Sequence, residues 1–134
     1  MSPCFIINVR NERVVLIVQV LKDELRHKIL LESEHLFLQR GYDRTSLQMI
    51  ADKVNISKSN LYHYFKNKEE LFYELTDSAA DGLKRMILRF RSMRFDLNMD
   101  AQEFRMLLTE EVLSLLLAEK YGLLLIMEQA NGTR

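Results

Sequence analysis

Between Ser57 and Glu70 the chain reads SKSNLYHYFKNKEE, with three lysines, a histidine and three aromatic residues, and no acid before the last two positions. From Lys53 to Lys68 there are four lysines and no acid, a local charge of +4 in a chain whose 19 basic and 19 acidic residues cancel. Cations and hydroxyls grouped in this way hold phosphate oxygens. Because the net charge is zero, any face for nucleic acid must be local. The competing explanation is a charged helical hairpin whose lysines only keep it in solution. What decides between the two is whether the flanking residues place this run on a surface built for contact.

The flanks read as two short helices and a turn. TSLQMIADKV opens with Thr45 as the expected N-cap and Gln48 three residues on, a capping-box pattern. Leu47, Ile50, Ala51 and Val54 then form one apolar face. Asn55 follows, the residue type most able after glycine to take a left-handed conformation. Ser57 caps a second short helix, expected over Lys58–Phe65, with Leu61, Tyr64 and Phe65 inward. Ala51 lies where two such helices cross closely, and Ile50, Val54, Ile56 and Leu61 fill the space between them. This is a helix-turn-helix pattern. It leaves Lys58, Ser59, Asn60, Tyr62 and His63 facing out, where the N-terminal residues of a recognition helix meet base edges and its cations and hydroxyls meet phosphates. Capping, turn, small crossing residue and acid-free face coincide, which disfavours the competing explanation.

Further elements must carry this unit. Residues 21–40 read as a helix with Leu25, Ile29, Leu36 and Phe37 on one face, small Ser33 between them and Gly41 at the C-terminal cap. Asn67 with Glu70 starts a long fourth helix whose stripe runs Leu71, Leu75, Ala79, Leu83, Met86 and Phe90. Arg85, Arg89, Arg91 and Arg94 gather near its end, where cations suit the helix dipole. FDLNMD is a break, Asp100 and Glu103 form another capping pair, and a last helical region over 101–130 is expected to divide at Gly122. Residues 1–20 resist assignment. Val14–Val20 suits a strand by composition but has no partner strand, so the segment either extends the first helix or is a poorly ordered leader. One proline and four glycines in 134 residues agree with an all-α fold.

Other chemistry finds little support. One cysteine, Cys4, excludes an intrachain disulfide framework and a cysteine-based zinc site. His27, His35 and His63 lack ligand spacing, so no metal is expected. No Gly-rich phosphate loop, GxSxG turn or HExxH motif is present, so neither an enzyme nor a cofactor is expected. No signal peptide or membrane span is visible, and the chain reads as soluble and cytoplasmic, without a membrane partner. Met86, Met93, Met106 and Met127 could line an adaptable pocket, although methionines at helical spacing are more often plain core.

ILLESEHLFLQRGYDRTSLQMIADKVNISKSNLYHYFKNKEELF resembles the DNA-binding region of TetR-family transcriptional regulators over Leu25–Leu75. Ile29, Leu36, Phe37, Gly41, Thr45, Ser46, Ile50, Ala51, Ser57, Lys58, Leu61, Tyr62, Phe65, Lys68, Glu69 and Leu71 carry the resemblance. Glu32 departs from the usual alanine and Asn55 from the usual glycine. The resemblance implies that Thr45 and Ser46 bind phosphate, that Lys58, Ser59, Tyr62 and His63 bind phosphate or approach bases, that Asn60 reads a base, and that Lys68 binds phosphate. It further implies a leader at 1–20, a DNA-binding domain at 21–70, and at 71–134 the first part of an effector-binding and dimerising domain. The chain would then be a fragment or truncated product. The function implied is a ligand-responsive repressor that binds palindromic double-stranded DNA as a dimer and answers to an unidentified small-molecule effector. A helical protein-interaction module, or a truncated regulator without operator binding, is the alternative. Apolar residues lie nearly all round Val112–Met127, so self-association is expected through Leu113, Leu116, Leu117, Leu123, Leu124 and Ile126.

Overall fold

The computed structural model describes residues 3–93 and 99–132, which form six α-helices and no strand. In chain order they are α1 (Pro3–Arg40), α2 (Leu47–Val54), α3 (Lys58–Tyr62), α4 (Lys68–Met93), α5 (Ala101–Ala118) and α6 (Lys120–Gly132). The helix read over 21–40 thus continues back to Pro3, and Val14–Val20 is helical. Residues 11–24 are exposed all round, and packing begins only where the apolar spacing becomes one-sided, at Ile29, Ser33, Leu36 and Phe37. The buried Ser33 hydroxyl donates to the Ile29 carbonyl at 2.6 Å, so this polar atom is satisfied within its own helix. Gly41 ends α1 at φ +83°, its N–H donating to the Phe37 carbonyl at 2.9 Å. Only glycine takes that conformation without steric cost.

The cap of α2 differs from expectation. Ser46, not Thr45, is the N-cap, its hydroxyl accepting from the Met49 N–H at 3.2 Å. Thr45 is buried, and its hydroxyl donates to the carbonyls of Gly41 at 2.9 Å and Leu36 at 3.2 Å. Either residue can cap; burial of Thr45 against the end of α1 makes the choice. Gln48 turns to Asp52 at 2.8 Å instead of closing a capping box. At the other two helix starts the capping side chains read from the sequence do cap. Asn67 accepts from the Glu70 N–H at 2.8 Å while Glu70 accepts from the Lys66 N–H at 2.6 Å. Asp100 accepts from the Gln102 and Glu103 N–H groups at 2.7 and 2.8 Å. Of the break FDLNMD only Met99 and Asp100 fall within the described residues, and Arg94 lies outside them.

The last helical region divides at Glu119, three residues before Gly122. Glu119 leaves helical geometry at φ −122°, ψ 27°, and its carboxylate accepts from the Ser78 hydroxyl at 2.6 Å. Gly122 lies inside α6 at its crossing with α4, where a Cβ would stand 2.7 Å from the Ala79 Cβ and 3.2 Å from the Leu75 carbonyl oxygen. Its missing side chain permits close approach of two helices rather than a hinge.

Ile29, Leu36, Phe37, Ile50, Ala51, Val54, Leu61, Phe65 and Leu71 form one buried cluster from α1 to the start of α4, and Leu125 of α6 completes it at 2% exposure. Each such large side chain stabilises the fold by about 1.5–3 kcal/mol through burial. The rings of Phe37, Tyr42 and Phe72 meet at this junction with centroids 5.1–5.9 Å apart. The α4 stripe faces inward as read, Leu71 and Ala79 buried and Leu75, Leu83, Met86 and Phe90 half-buried. On the far side Leu113, Leu116, Leu117 and Leu124 are exposed, Leu117 by 76%, while Leu123 and Ile126 are half-buried. Met106 and Met127 are exposed and Met86 and Met93 half-buried. Of the arginines, Arg89 pairs with Glu111 across α4 and α5. No helix among the described residues is long and apolar enough to cross a membrane.

The glycines of α4 and α6 should answer differently to alanine. Alanine raises helix propensity by about 1 kcal/mol at either site. At Gly122 it meets a Cβ and a backbone carbonyl that cannot turn aside, and overpacking of this kind costs about 1–3 kcal/mol. At Gly82 the obstacle is only the end of the Leu115 side chain, at 2.5 Å. Urea unfolding is expected to show Gly122→Ala destabilised and Gly82→Ala at least as stable as the parent chain. The reverse order would refute the crossing geometry.

Candidate nucleic-acid interface

The turn between α2 and α3 is set by one backbone conformation. Asn55 stands at φ 62°, ψ 47°, the one non-glycine residue with positive φ among those described. That conformation costs most side chains about 1–2 kcal/mol, and asparagine is among the few that visit it routinely. The chain reverses there, with the Ile56 N–H donating to the Ala51 carbonyl at 3.0 Å. Ala51 is fully buried, so its single methyl sets the distance between the two helices. Ser57 then caps α3, its hydroxyl accepting from the Asn60 N–H at 3.1 Å.

The helix is shorter than Lys58–Phe65, because regular α geometry stops at Tyr62. The Tyr64 and Phe65 N–H groups still reach the Leu61 carbonyl, at 3.0 and 3.1 Å, and carry Phe65 into the core. Leu61 is the buried foot of the helix. Around it Lys58, Ser59, Tyr62 and His63 are exposed and Asn60 is half-buried, so these five share one short solvent-facing element. The Lys58 ammonium lies 5.9 Å from the centre of the Tyr62 ring. Ser46 is exposed at the start of α2, where helix N-termini attract anions.

Two of the eight expected contact residues are turned inward. Thr45 is 2% exposed and its hydroxyl is engaged by the end of α1. Lys68 is half-buried, its ammonium donating to the carbonyls of Tyr42 at 2.7 Å and Thr45 at 3.2 Å and lying 4.0 Å from the Tyr42 ring centre. Burial, with Glu69 nearby, pushes the Tyr42 phenol above its ordinary pKa.

Arg26 is a residue that sequence reasoning passed over. Its guanidinium forms a two-point ion pair with Glu74, one arm at 2.6 Å, and sits 4.8 Å from the Phe65 ring centre. The hydrogen bond to Glu74 raises its pKa, against a smaller opposing effect of burial. The pair ties α1 to α4 beside the residue that ends the α3 turn. Its members are 48 positions apart, so no local pattern could announce it. Among the described residues no three His, Cys, Asp or Glu side chains are grouped to hold a metal ion.

Residues 29–75 match the model of the tetR family of bacterial regulatory proteins. The match covers about a third of the chain, which over that stretch is similar to the family. Over 65 residues it is 34% identical to the biofilm operon icaADBC HTH-type negative transcriptional regulator IcaR of Staphylococcus epidermidis, covering 48% of this chain and 35% of that protein. Over 62 residues it is 34% identical to the HTH-type transcriptional activator FasR of Mycolicibacterium smegmatis, covering 46% of this chain and 28% of that one. The chain therefore spans about a third of the length of the curated relatives it matches. Among solved structures, the TetR family protein CprB from S. coelicolor A3(2) superposes with a TM-score of 0.51 at 27% identity, over 76% of this chain and 51% of that one. The tetR-family match lies on the buried cluster and the turn just described. The likeness to CprB extends further, so helices beyond the matched 29–75 share in it.

Proposed function

We propose that the chain is a transcriptional regulator that lays α3 in the major groove of duplex DNA. The observation that carries this reading is the exposure of Lys58, Ser59, Tyr62 and His63, with Asn60 half-buried beside them, around the buried Leu61 on a stretch without an acid. In this reading Ser46, Lys58 and Tyr62 hold the DNA backbone, Asn60 reads a base edge, and Ser59 and His63 face base or phosphate. Residues 21–70 act as the DNA-binding unit, and 71–134 as the first part of a domain that binds a small effector and dimerises on a palindromic site. Repression is favoured by the likeness to IcaR, a negative regulator, whereas FasR is an activator. Leu113, Leu116, Leu117 and Leu124 offer an exposed apolar surface for self-association.

Salt and sequence dependence test the DNA reading. On duplexes recovered by genomic-fragment selection, Lys58→Ala is expected to weaken all sequences alike and to lower the salt slope by about one unit. Asn60→Ala is expected to relax preference at one position of each half-site, by about 1–3 kcal/mol. Base preferences that survive Asn60→Ala intact would remove Asn60 as the reader. Self-association is read by light scattering after gel filtration, where a dimer or larger species is expected. A monodisperse monomer at tens of micromolar would show that the apolar face needs no cover.

A further inference from the structure

Lys68 stands in the first turn of α4, where the positive end of the helix dipole disfavours a cation. Its surroundings explain why it is there. In the loop from Gly41 to Ser46 the Tyr42 carbonyl accepts from the Thr45 N–H at 3.3 Å, and side-chain donors add to this backbone turn. Gly41 and Leu36 accept from the Thr45 hydroxyl, and Tyr42 and Thr45 accept from the Lys68 ammonium at 2.7 and 3.2 Å. The Tyr42 ring covers the same ammonium at 4.0 Å, and that ring is itself packed between Phe37 and Phe72. Two of the three ammonium donors are thus engaged by the loop, and the charge is half-buried over an aromatic face.

We infer that Lys68 is a positioning residue for the DNA interface. It ties the first turn of α4 to the loop that ends in Ser46, and so sets where the N-terminus of α2 meets a phosphate. The inference rests on the DNA-binding reading above. It assigns Lys68 the same interface by another route: its charge holds the loop, and Ser46 makes the contact. A compact ammonium suits two diverging carbonyls better than the planar fork of arginine does. The helix that carries Lys68 also packs against α5 and α6.

The test compares Lys68→Met with Lys58→Met and Ser46→Ala on a fluorescent mixed-sequence duplex across a salt series. Lys68→Met is expected to weaken binding by about tenfold with the salt slope unchanged, while Lys58→Met lowers the slope by about 0.9. Ser46→Ala should weaken binding in the parent chain and add nothing once Lys68 is Met, as coupled residues do in a double-mutant cycle. In the DNA-free protein, amide exchange over residues 42–49 should quicken in Lys68→Met. A slope lowered by about one in Lys68→Met, or additive effects of the two substitutions, would return Lys68 to a direct phosphate contact and overturn the proposal. Unchanged amide exchange would overturn it as well, and this arm reads the tie to the loop separately from duplex binding, so its failure is distinct from failure of the DNA-binding reading.

Discussion

The structure depends on the burial of Phe37 at the point where four segments meet. Its ring is fully buried beside Tyr42 of the loop and Phe72 of α4, in the cluster that Leu125 of α6 closes. The end of α1, the loop into α2, the first turns of α4 and the middle of α6 are therefore one packed body. The short α3 makes no core of its own beyond Leu61, since five residues of helix cannot hold themselves in water. Its direction is borrowed from the body beneath it, through Ala51 at the crossing, Asn55 at the turn and Phe65 at the exit. This division explains how the outward residues of α3 can be wholly polar or amphipathic while the fold stays intact.

Polar ties then remove the remaining freedom. Thr45 pins the loop to the end of α1, Lys68 pins it to α4, and Arg26 joins α1 to α4 across Phe65. All three are half-buried or buried, where a satisfied hydrogen bond matters more than one in water and an unsatisfied partner costs more. They surround α2 and α3 without contributing exposed groups to them. An interface of this kind needs such backing, because phosphate contacts fix register only if the contacting atoms are themselves held.

How far the sequence was legible follows from the range of each interaction. Gly41, Asn55, Ser57, Asn67 with Glu70, and Asp100 with Glu103 act within four residues, and each was visible in the letters alone. The outward set on α3 followed from helix spacing around Leu61. Thr45 and Ser46 are equivalent as local signals, and only the carbonyls of Leu36 and Gly41 distinguish them. Gly122 looked like a divider because its partners, Ala79 and Leu75, lie in another helix; the break at Glu119 has no comparable letter to mark it. Val14–Val20 could not be assigned because it is exposed all round and no packing partner selects its conformation; it is helical as part of the same continuous helix as the residues that follow.

A helix-turn-helix segment similar to the tetR family is thus joined through Leu125 to helices that carry an exposed apolar face. Its central functional claim is that the surface around α3 is where duplex DNA sits. Titration of a selected duplex into isotopically labelled protein, followed by amide and side-chain chemical shifts, tests this most directly. The account predicts that the first and largest changes fall on Ser46 and on Lys58, Ser59, Asn60, Tyr62 and His63, with α5 and the outward face of α6 unaffected at low occupancy. Changes centred on Leu113, Leu116 and Leu117, with α3 silent, would contradict it.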